Sequence, residues 1–241
     1  MVIRFIKAFT TSRMLQIYRS VALLSELHNS LALKPCQTQN KVILRGFMRK
    51  RMFDVIFSAF VIIFMLSWLV PIIALLIKLE SKGPTFFKQL RTGKDGLPFY
   101  CLKFRSMAVN AEADLQQASK ADPRITRVGA FLRETSLDEL PQFLNVLCGE
   151  MSVVGPRPHM LCHTHNYSQM IDGYMDRHAV APGITGLAQV CGYRGETKEL
   201  VSMVNRVKAD IGYIRNWSFL LDLKIVLLTV WQLSRNDEKA F

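Results

Sequence analysis

Asp138 and Glu139 stand side by side in the segment DPRITRVGAFLRETSLDELPQFLNVLCGEMSVVGPRP, residues 122–158. Arg124, Arg127 and Arg133 precede the pair, and Arg157 follows it between two prolines. Carboxylates that work on an anionic substrate need such cations, which draw phosphate in and neutralise charge in the transition state. Ser136 and Leu137 before the pair, with Leu140, Pro141 and Gln142 after it, read as a helix start, where backbone N–H groups favour negative charge. A capped surface helix with ordinary ion pairs is the competing reading of the same residues. Downstream, Val153-Val154-Gly155-Pro156-Arg157-Pro158 must be extended or turned, because each proline disfavours helix in the residue before it. Such a frame fixes the angle of the Arg157 guanidinium and suits bidentate phosphate binding. Phosphate chemistry is the implication.

The elements that would position these residues can be read from the surrounding pattern. Leu137, Leu140, Phe143, Leu144 and Leu147 recur at threes and fours, which predicts a helix over 135–147 with one buried face and Pro141 near its first turn. TFFKQL and PFYCLKF flank Gly93-Lys94-Asp95-Gly96 and predict a β-hairpin, with Lys103 and Arg105 at its end. Residues 108–120 read as a helix that Asp122-Pro123 closes. Upstream, Val55 to Ile77 contains no charged side chain and, at ~1.5 Å per residue, is just long enough for a bilayer core of ~30 Å. Lysines and arginines stand on both sides of it, so the positive-inside bias holds both ends in the cytoplasm. Pro71 cannot donate a hydrogen bond and frees the carbonyl of Ser67. A helix that kinks there, eased by the Ser67 hydroxyl, and re-enters on the same side is one reading; a straight span is the other.

Half of the 241 residues are hydrophobic, yet the formal net charge is +12. A protein resting on an anionic membrane benefits from both properties. Nucleic acid is a weaker reading of the charge, since zinc-finger spacing, an RNP-like strand and a basic heptad region are all missing and electrostatics stands alone. The cysteines form no C-x-x-C and are odd in number, so they read as reduced packing residues. His159, Cys162, His163 and His165 match no common zinc spacing. The sequence PGITG at 182–186 reads alone as a turn, without a P-loop lysine. Trp217 to Leu233 is apolar but interrupted by Asp222 and Lys224, which predicts an interfacial or buried helix. VIRFIKAF and MLQIYRSVALLSEL near the N-terminus read as basic amphipathic helices, lying on the membrane or packing on the rest of the chain.

Several of these motifs, in this order, resemble the bacterial sugar transferases, the monotopic phosphoglycosyl transferases. The likeness opens on Arg49, Lys50, Arg51, Phe53 and Asp54 and continues through GPTFFKQLRTGKDGLPFYCLKFRSM (Gly83 to Met107). After the block around Asp138 come PGITGLAQVCGYRGET (Pro182 to Thr197) and YIRNWSFLLDLKI (Tyr213 to Ile225). It covers the chain from about Arg45 to the C-terminus. RGET followed by Met203, Arg206 and Val207 looks most like enzymes that load glucose or galactose 1-phosphate onto undecaprenyl phosphate.

The resemblance implies a mainly α fold with small β elements: a monotopic membrane protein with a re-entrant helix at about 52–79 and interfacial amphipathic helices. A helical leader at 1–45 would precede a catalytic domain at 46–241. The family usually has Ser immediately before the helix proline, where this chain has Val70. By the family mechanism a UDP-sugar donates its sugar 1-phosphate to undecaprenyl phosphate through an aspartyl phosphosugar intermediate, with UMP released. This is the first membrane step of exopolysaccharide, capsule or O-antigen assembly. Asp138 and Glu139 would be catalytic, Asp138 would also hold Mg²⁺, and Arg133, Arg157, Lys103 and Arg105 would bind substrate. The expected location is the bacterial inner membrane with the catalytic domain on its cytoplasmic face, among membrane lipids and without nucleic acid. A homo-oligomer is left open. The rival function is a non-catalytic basic scaffold of a cell-envelope assembly complex, which needs the charge and the apolar segment but not the carboxylates.

Overall fold

The computed structural model describes residues 39–109, 122–193 and 200–234, with side chains from Met48 onward. The amphipathic leader, most of the helix expected over 108–120, and the RGET motif lie outside the described residues. The chain divides into two units, Met1–Ile43 and Leu44–Phe241; apart from the first residues of α1, everything that follows lies in the second.

Helix α1 (Gln39–Val61) passes through a π-helical turn at Ile62–Leu66 into α2 (Ser67–Glu80). From Met48 to Glu80 it is long and apolar enough to cross a membrane. The π turn explains its buried face. Asp54, Ser58 and Val61 are buried before the turn and Leu66, Ile73 and Ile77 after it. The step from Val61 to Leu66 is one residue too long for a regular helix, and the extra residue of the π turn returns the second half to the same face. The Ser67 N–H reaches back to Ile62 O, and the Ser67 hydroxyl takes Ile63 O at 2.6 Å. The hydroxyl therefore fills the carbonyl that the π turn leaves over, and not the Ser67 carbonyl that Pro71 frees. Ile56, Phe60, Ile63, Phe64, Trp68, Ile72 and Leu75 are exposed on the other faces.

Both ends of this helix are fastened to the same unit. At the start, Lys50 Nζ donates to Asp222 Oδ2 (2.8 Å) and Tyr213 Oη (3.1 Å). Arg51 caps two carbonyls, Val146 O and Leu147 O. Asp54 Oδ1 accepts from Ser152 Oγ and Val153 N. At the other end the Glu80 carboxylate accepts the N–H groups of Arg127 (2.7 Å) and Val128 (2.9 Å), which open α3 (Arg127–Glu134).

The hairpin forms as the alternation predicts. Strand β1 (Phe86–Thr92) pairs antiparallel with β2 (Pro98–Phe104), in a register from Phe86 opposite Phe104 to Thr92 opposite Pro98. Asp95 and Gly96 turn the chain with positive φ. The helix expected over 135–147 does not form as one piece. Ser136 adopts a left-handed φ of 58°, which ends the helical path, and Leu137–Glu139 make a separate 3₁₀ turn. Helix α4 (Gln142–Cys148) starts only after Pro141. Its buried face holds Gln142, Phe143, Asn145 and Val146, while Leu144 is exposed. Asn145 repays its burial by joining α4 to the hairpin: it accepts from Leu102 N and donates to Tyr100 O.

Beyond α4, β3 (Ser152–Val154) pairs in parallel with β4 (Gly183–Thr185), so PGITG is a strand and not a free turn. The two backbones approach so closely that a Cβ on Gly183 would collide with Gly155 N, and one on Gly186 with Gly155 O. Helix α5 (Leu161–Met170), a 3₁₀ stretch at Tyr174–Ala179, the short α6 (Leu187–Val190), α7 (Leu200–Arg215) and α8 (Phe219–Ser234) complete the unit. Helix α8, expected to be interfacial or buried, is buried along one face at Asp222 and Ile225, while Leu220, Leu227 and Val230 are exposed.

Candidate active site

Three elements converge on the carboxylates. The 3₁₀ turn presents Asp138 and Glu139, both buried, at 7% and 8% exposure. Strand β2 supplies Lys103, whose Nζ lies 2.8 Å from Glu139 Oε1 and 4.0 Å from Asp138 Oδ2. The extended segment after β3 supplies Arg157, which grips Glu139 with both terminal nitrogens, Nη2 to Oε1 at 2.6 Å and Nη1 to Oε2 at 3.2 Å. The expected fork is present, and it is closed on Glu139. The carboxylates draw their compensation from these cations; α4 begins beyond them.

The two carboxylates are therefore unequal. Glu139 is bonded on both oxygens. Asp138 stands beyond hydrogen-bond reach of Lys103, and burial pushes its pKa up; Lys103, Arg133 and Arg157 oppose that shift and Glu139 adds to it. Glu139 beside it holds Arg157 still more firmly cationic than usual. A buried acid with a less committed oxygen, inside a ring of cations, is suited to meet an incoming electrophile or a divalent ion. Magnesium is commonly held by one or two carboxylates together with substrate phosphates, and Asp138 fits that donor set.

Arg133 projects from the end of α3. Gly129 allows that helix to sit hard against the Ser106 backbone, where a Cβ would strike Ser106 O, and Arg133 Nε then donates to Ser106 Oγ at 2.8 Å. Its charge is felt by Asp138. Arg105 is placed elsewhere: its guanidinium donates to Ser81 O, Ser81 Oγ and Lys82 O, tying the hairpin to the segment that follows the long apolar helix. Arg124 is closed on Asp122 through two nitrogens. Lys103, Arg133 and Arg157 thus gather around the carboxylates, and Arg105 does not.

Some residues of the site escape the sequence reading. Arg91 in β1 donates to Pro158 O at 2.6 Å and to Gln89 Oε1. Arg177 donates to Arg157 O at 2.8 Å and to Asp210 Oδ2 through Nε (3.0 Å) and Nη2 (2.6 Å). His159, one of the four residues weighed as metal ligands, meets Tyr174 Oη (2.6 Å) and Arg177 Nη1 (3.1 Å) at its Nδ1. An arginine can only donate, so Nδ1 accepts there, and Arg206 Nη1 stands 3.5 Å from Nε2, so both ring nitrogens face arginines. Burial and Arg177 keep the ring neutral, well below its ordinary pKa. Asp210 was legible in principle: it shares the buried stripe of α7 with Met203, Val207 and Tyr213, where an acid demands a partner.

The profile described as "Bacterial sugar transferase" matches residues 45–236. A UDP-glucose:undecaprenyl-phosphate glucose-1-phosphate transferase from Klebsiella pneumoniae is 54% identical over 184 residues, covering 76% of this chain and 39% of the relative. A protein with the same description from Caulobacter vibrioides is 49% identical over 191 residues, 79% of this chain and 71% of the relative. An exopolysaccharide production protein from Rhizobium leguminosarum is 46% identical over 186 residues, 75% of this chain and 92% of that protein. The chain spans about two fifths of the length of the Klebsiella relative.

Proposed function

This chain belongs to the bacterial sugar transferase family, and from that premise we propose that it transfers a sugar 1-phosphate from a UDP-sugar to undecaprenyl phosphate, releasing UMP. The observation that carries the proposal is the division between the two buried carboxylates: Glu139 is bonded by Lys103 and Arg157, while Asp138 stands within their field with Lys103 4.0 Å away, beyond hydrogen-bond reach. A scaffold has no use for a buried acid held in this way.

The donor diphosphate enters among Lys103, Arg133 and Arg157. An Asp138 oxygen attacks the sugar-proximal phosphorus, and the bond to the bridging oxygen breaks with its electron pair leaving on UMP. An oxygen of the lipid phosphate then attacks the same phosphorus and expels the Asp138 carboxylate, leaving a lipid diphosphate sugar. The covalent relay divides one displacement between two anions into two easier steps. Glu139 holds the Lys103 ammonium and the Arg157 fork in place for both. Asp138 is the residue that would hold Mg²⁺, whose charge when bound offsets the repulsion between carboxylate and diphosphate.

The membrane arrangement proposed with it is re-entrant, in the bacterial inner membrane with the site on the cytoplasmic face. Its support is that Lys50, Arg51 and Asp54 at one end of the helix and Glu80 at the other bond to the same unit. Cysteines placed at Arg49 and Lys82 should both label from the cytoplasmic side alone; labelling from opposite sides establishes a straight span.

The reaction is tested with purified protein, UDP-glucose and Mg²⁺ without lipid. UMP should appear in at most one equivalent, with the phosphosugar retained on the protein and mapped to Asp138. Adding undecaprenyl phosphate should then give turnover with ping-pong kinetics. A phosphosugar mapped to Glu139, or lipid product formed with no protein adduct, overturns the scheme. Other UDP-sugars run in parallel identify the sugar.

A further inference from the structure

Arg157 reaches Glu139 from Pro156-Arg157-Pro158, which belongs to no helix or strand. Extended backbone of this kind is held in place only by what bonds its carbonyls. Here Pro156 O receives the Gly183 N–H of β4, Pro158 O receives Arg91, and Arg157 O receives Arg177. His159 O is taken by the Thr92 N–H at 2.9 Å. Arg177 is the most deeply buried of the cations in this region, at 1% exposure. All three of its nitrogens are engaged inside the protein: Nε and Nη2 on Asp210, Nη2 also on Arg157 O, and Nη1 on His159. Its guanidinium lies 5.5 Å from the centre of the Tyr174 ring. Nothing in this arrangement leaves it a hand for substrate.

Stability alone is a poor reason for such a pair, since a buried ion pair is often matched or bettered by apolar residues of the same volume. Its geometry offers another reason. With its carbonyl held from behind by Arg177 and prolines on both sides, Arg157 directs its side chain forward onto Glu139. We infer that Arg177, locked by Asp210, is a positioning residue: it fixes where the Arg157 fork stands at the carboxylates and thereby sets the efficiency of transfer without touching the donor. This inference rests on the proposed reaction, in which Arg157 meets the donor diphosphate. Displacement of such a group by about 1 Å costs on the order of a hundredfold in rate.

Arg177→Lys keeps the charge but replaces three nitrogens by one, so Asp210 and the Arg157 carbonyl can no longer both be served in the same geometry. Asp210→Asn keeps the shape and one oxygen. Each is made alone and together with Arg157→Lys, and kcat and KM are measured alongside the thermal midpoint and the Kd for UDP, which requires no turnover. In the parent background each should lower kcat by about ten- to a hundredfold and weaken UDP binding. In the Arg157→Lys background the same substitutions should change both by less than about twofold, because the residue through which they act is already altered. A general loss of packing would instead multiply independently of Arg157. Equal fold-losses in the two backgrounds overturn the inference, as does no loss in either. Failure of both variants to accumulate in the membrane also overturns it and makes the pair purely structural. A parent that binds UDP but transfers nothing defeats the proposed reaction, while the cycle in UDP affinity still decides the role of Arg177. A parent that does not bind UDP overturns both.

Discussion

The foot of the membrane helix and the site around Asp138 are both buried clusters of charge, built on opposite principles. At the foot, Asp222 receives Lys50 and Trp217 on one oxygen and Tyr213 on the other. With Arg51 and the buried Asp54 beside this pair, two cations meet two acids, and the remaining lone pairs are filled by neutral donors. At the site, Lys103, Arg133 and Arg157 surround two acids, and Arg91 stands behind them. The foot is complete as it stands. The site carries more positive than negative charge in a buried place, which is tolerable only if an anion is due. Charge that is balanced and fully bonded marks structure, whereas charge left in surplus marks a place where a ligand finishes the arrangement.

The comparison can be broken most sharply at the carboxylates themselves. Asp138→Asn should lower transfer by a thousandfold or more, the order of magnitude expected when a nucleophile is removed, at unchanged yield. At the foot, Asp222→Ala should do the reverse. It strands Lys50, Tyr213 and Trp217 in a buried setting and should cost about 3–5 kcal/mol of stability, read as a drop in the thermal midpoint, with residual activity following the folded fraction. If Asp222→Ala left the midpoint unchanged while abolishing transfer, the foot would belong to the site.

A smaller effect sharpens the account of surplus charge. Inorganic pyrophosphate should raise the thermal midpoint of the parent and raise it less in Arg157→Lys, which keeps the charge but loses the fork. Equal protection of both would mean that Arg157 is not an anion ligand. The smallest effect concerns pH. Burial raises the Asp138 pKa in the folded protein above its ordinary 3.8, so its contribution to stability is full below that value and is lost as pH rises through the folded pKa. Asp138→Asn should therefore gain in midpoint over the parent as pH is raised, and the gain should level off above the folded pKa. A difference that stayed flat with pH would contradict the raised pKa.

What could be read in advance divides along the same line. The hairpin was legible because its alternation is local and Gly93 and Gly96 bracket the turn. The apolar helix was legible from length, but its π turn was not, because the register of a buried stripe depends on what it packs against. The break at Ser136 was hidden for a related reason: the leucine spacing through 135–147 is helical, and only the left-handed serine and Pro141 interrupt it. Lys103, Arg133 and Arg157 were chosen from sequence and do gather at the carboxylates. Arg105 was chosen on the same grounds and binds the Ser81 and Lys82 carbonyls just past the long apolar helix, because a cation near a strand end does not announce which of two neighbours it will serve. Arg177 and Asp210 lie 33 residues apart in sequence and become a pair only in the fold.

The carboxylate of Glu80 gives the membrane a means of being felt in the chemistry. It ends the long helix and at the same time caps α3, whose other end carries Arg133 to the neighbourhood of Asp138. From Arg127 to Arg133 that lever measures about 9 Å at 1.5 Å per residue. In the proposed membrane arrangement, a change in how deeply the long helix lodges would be delivered at one end of α3 and received at the other as a displaced guanidinium. Transfer measured in thinner and thicker bilayers should then differ, and equal rates would uncouple the helix from Arg133.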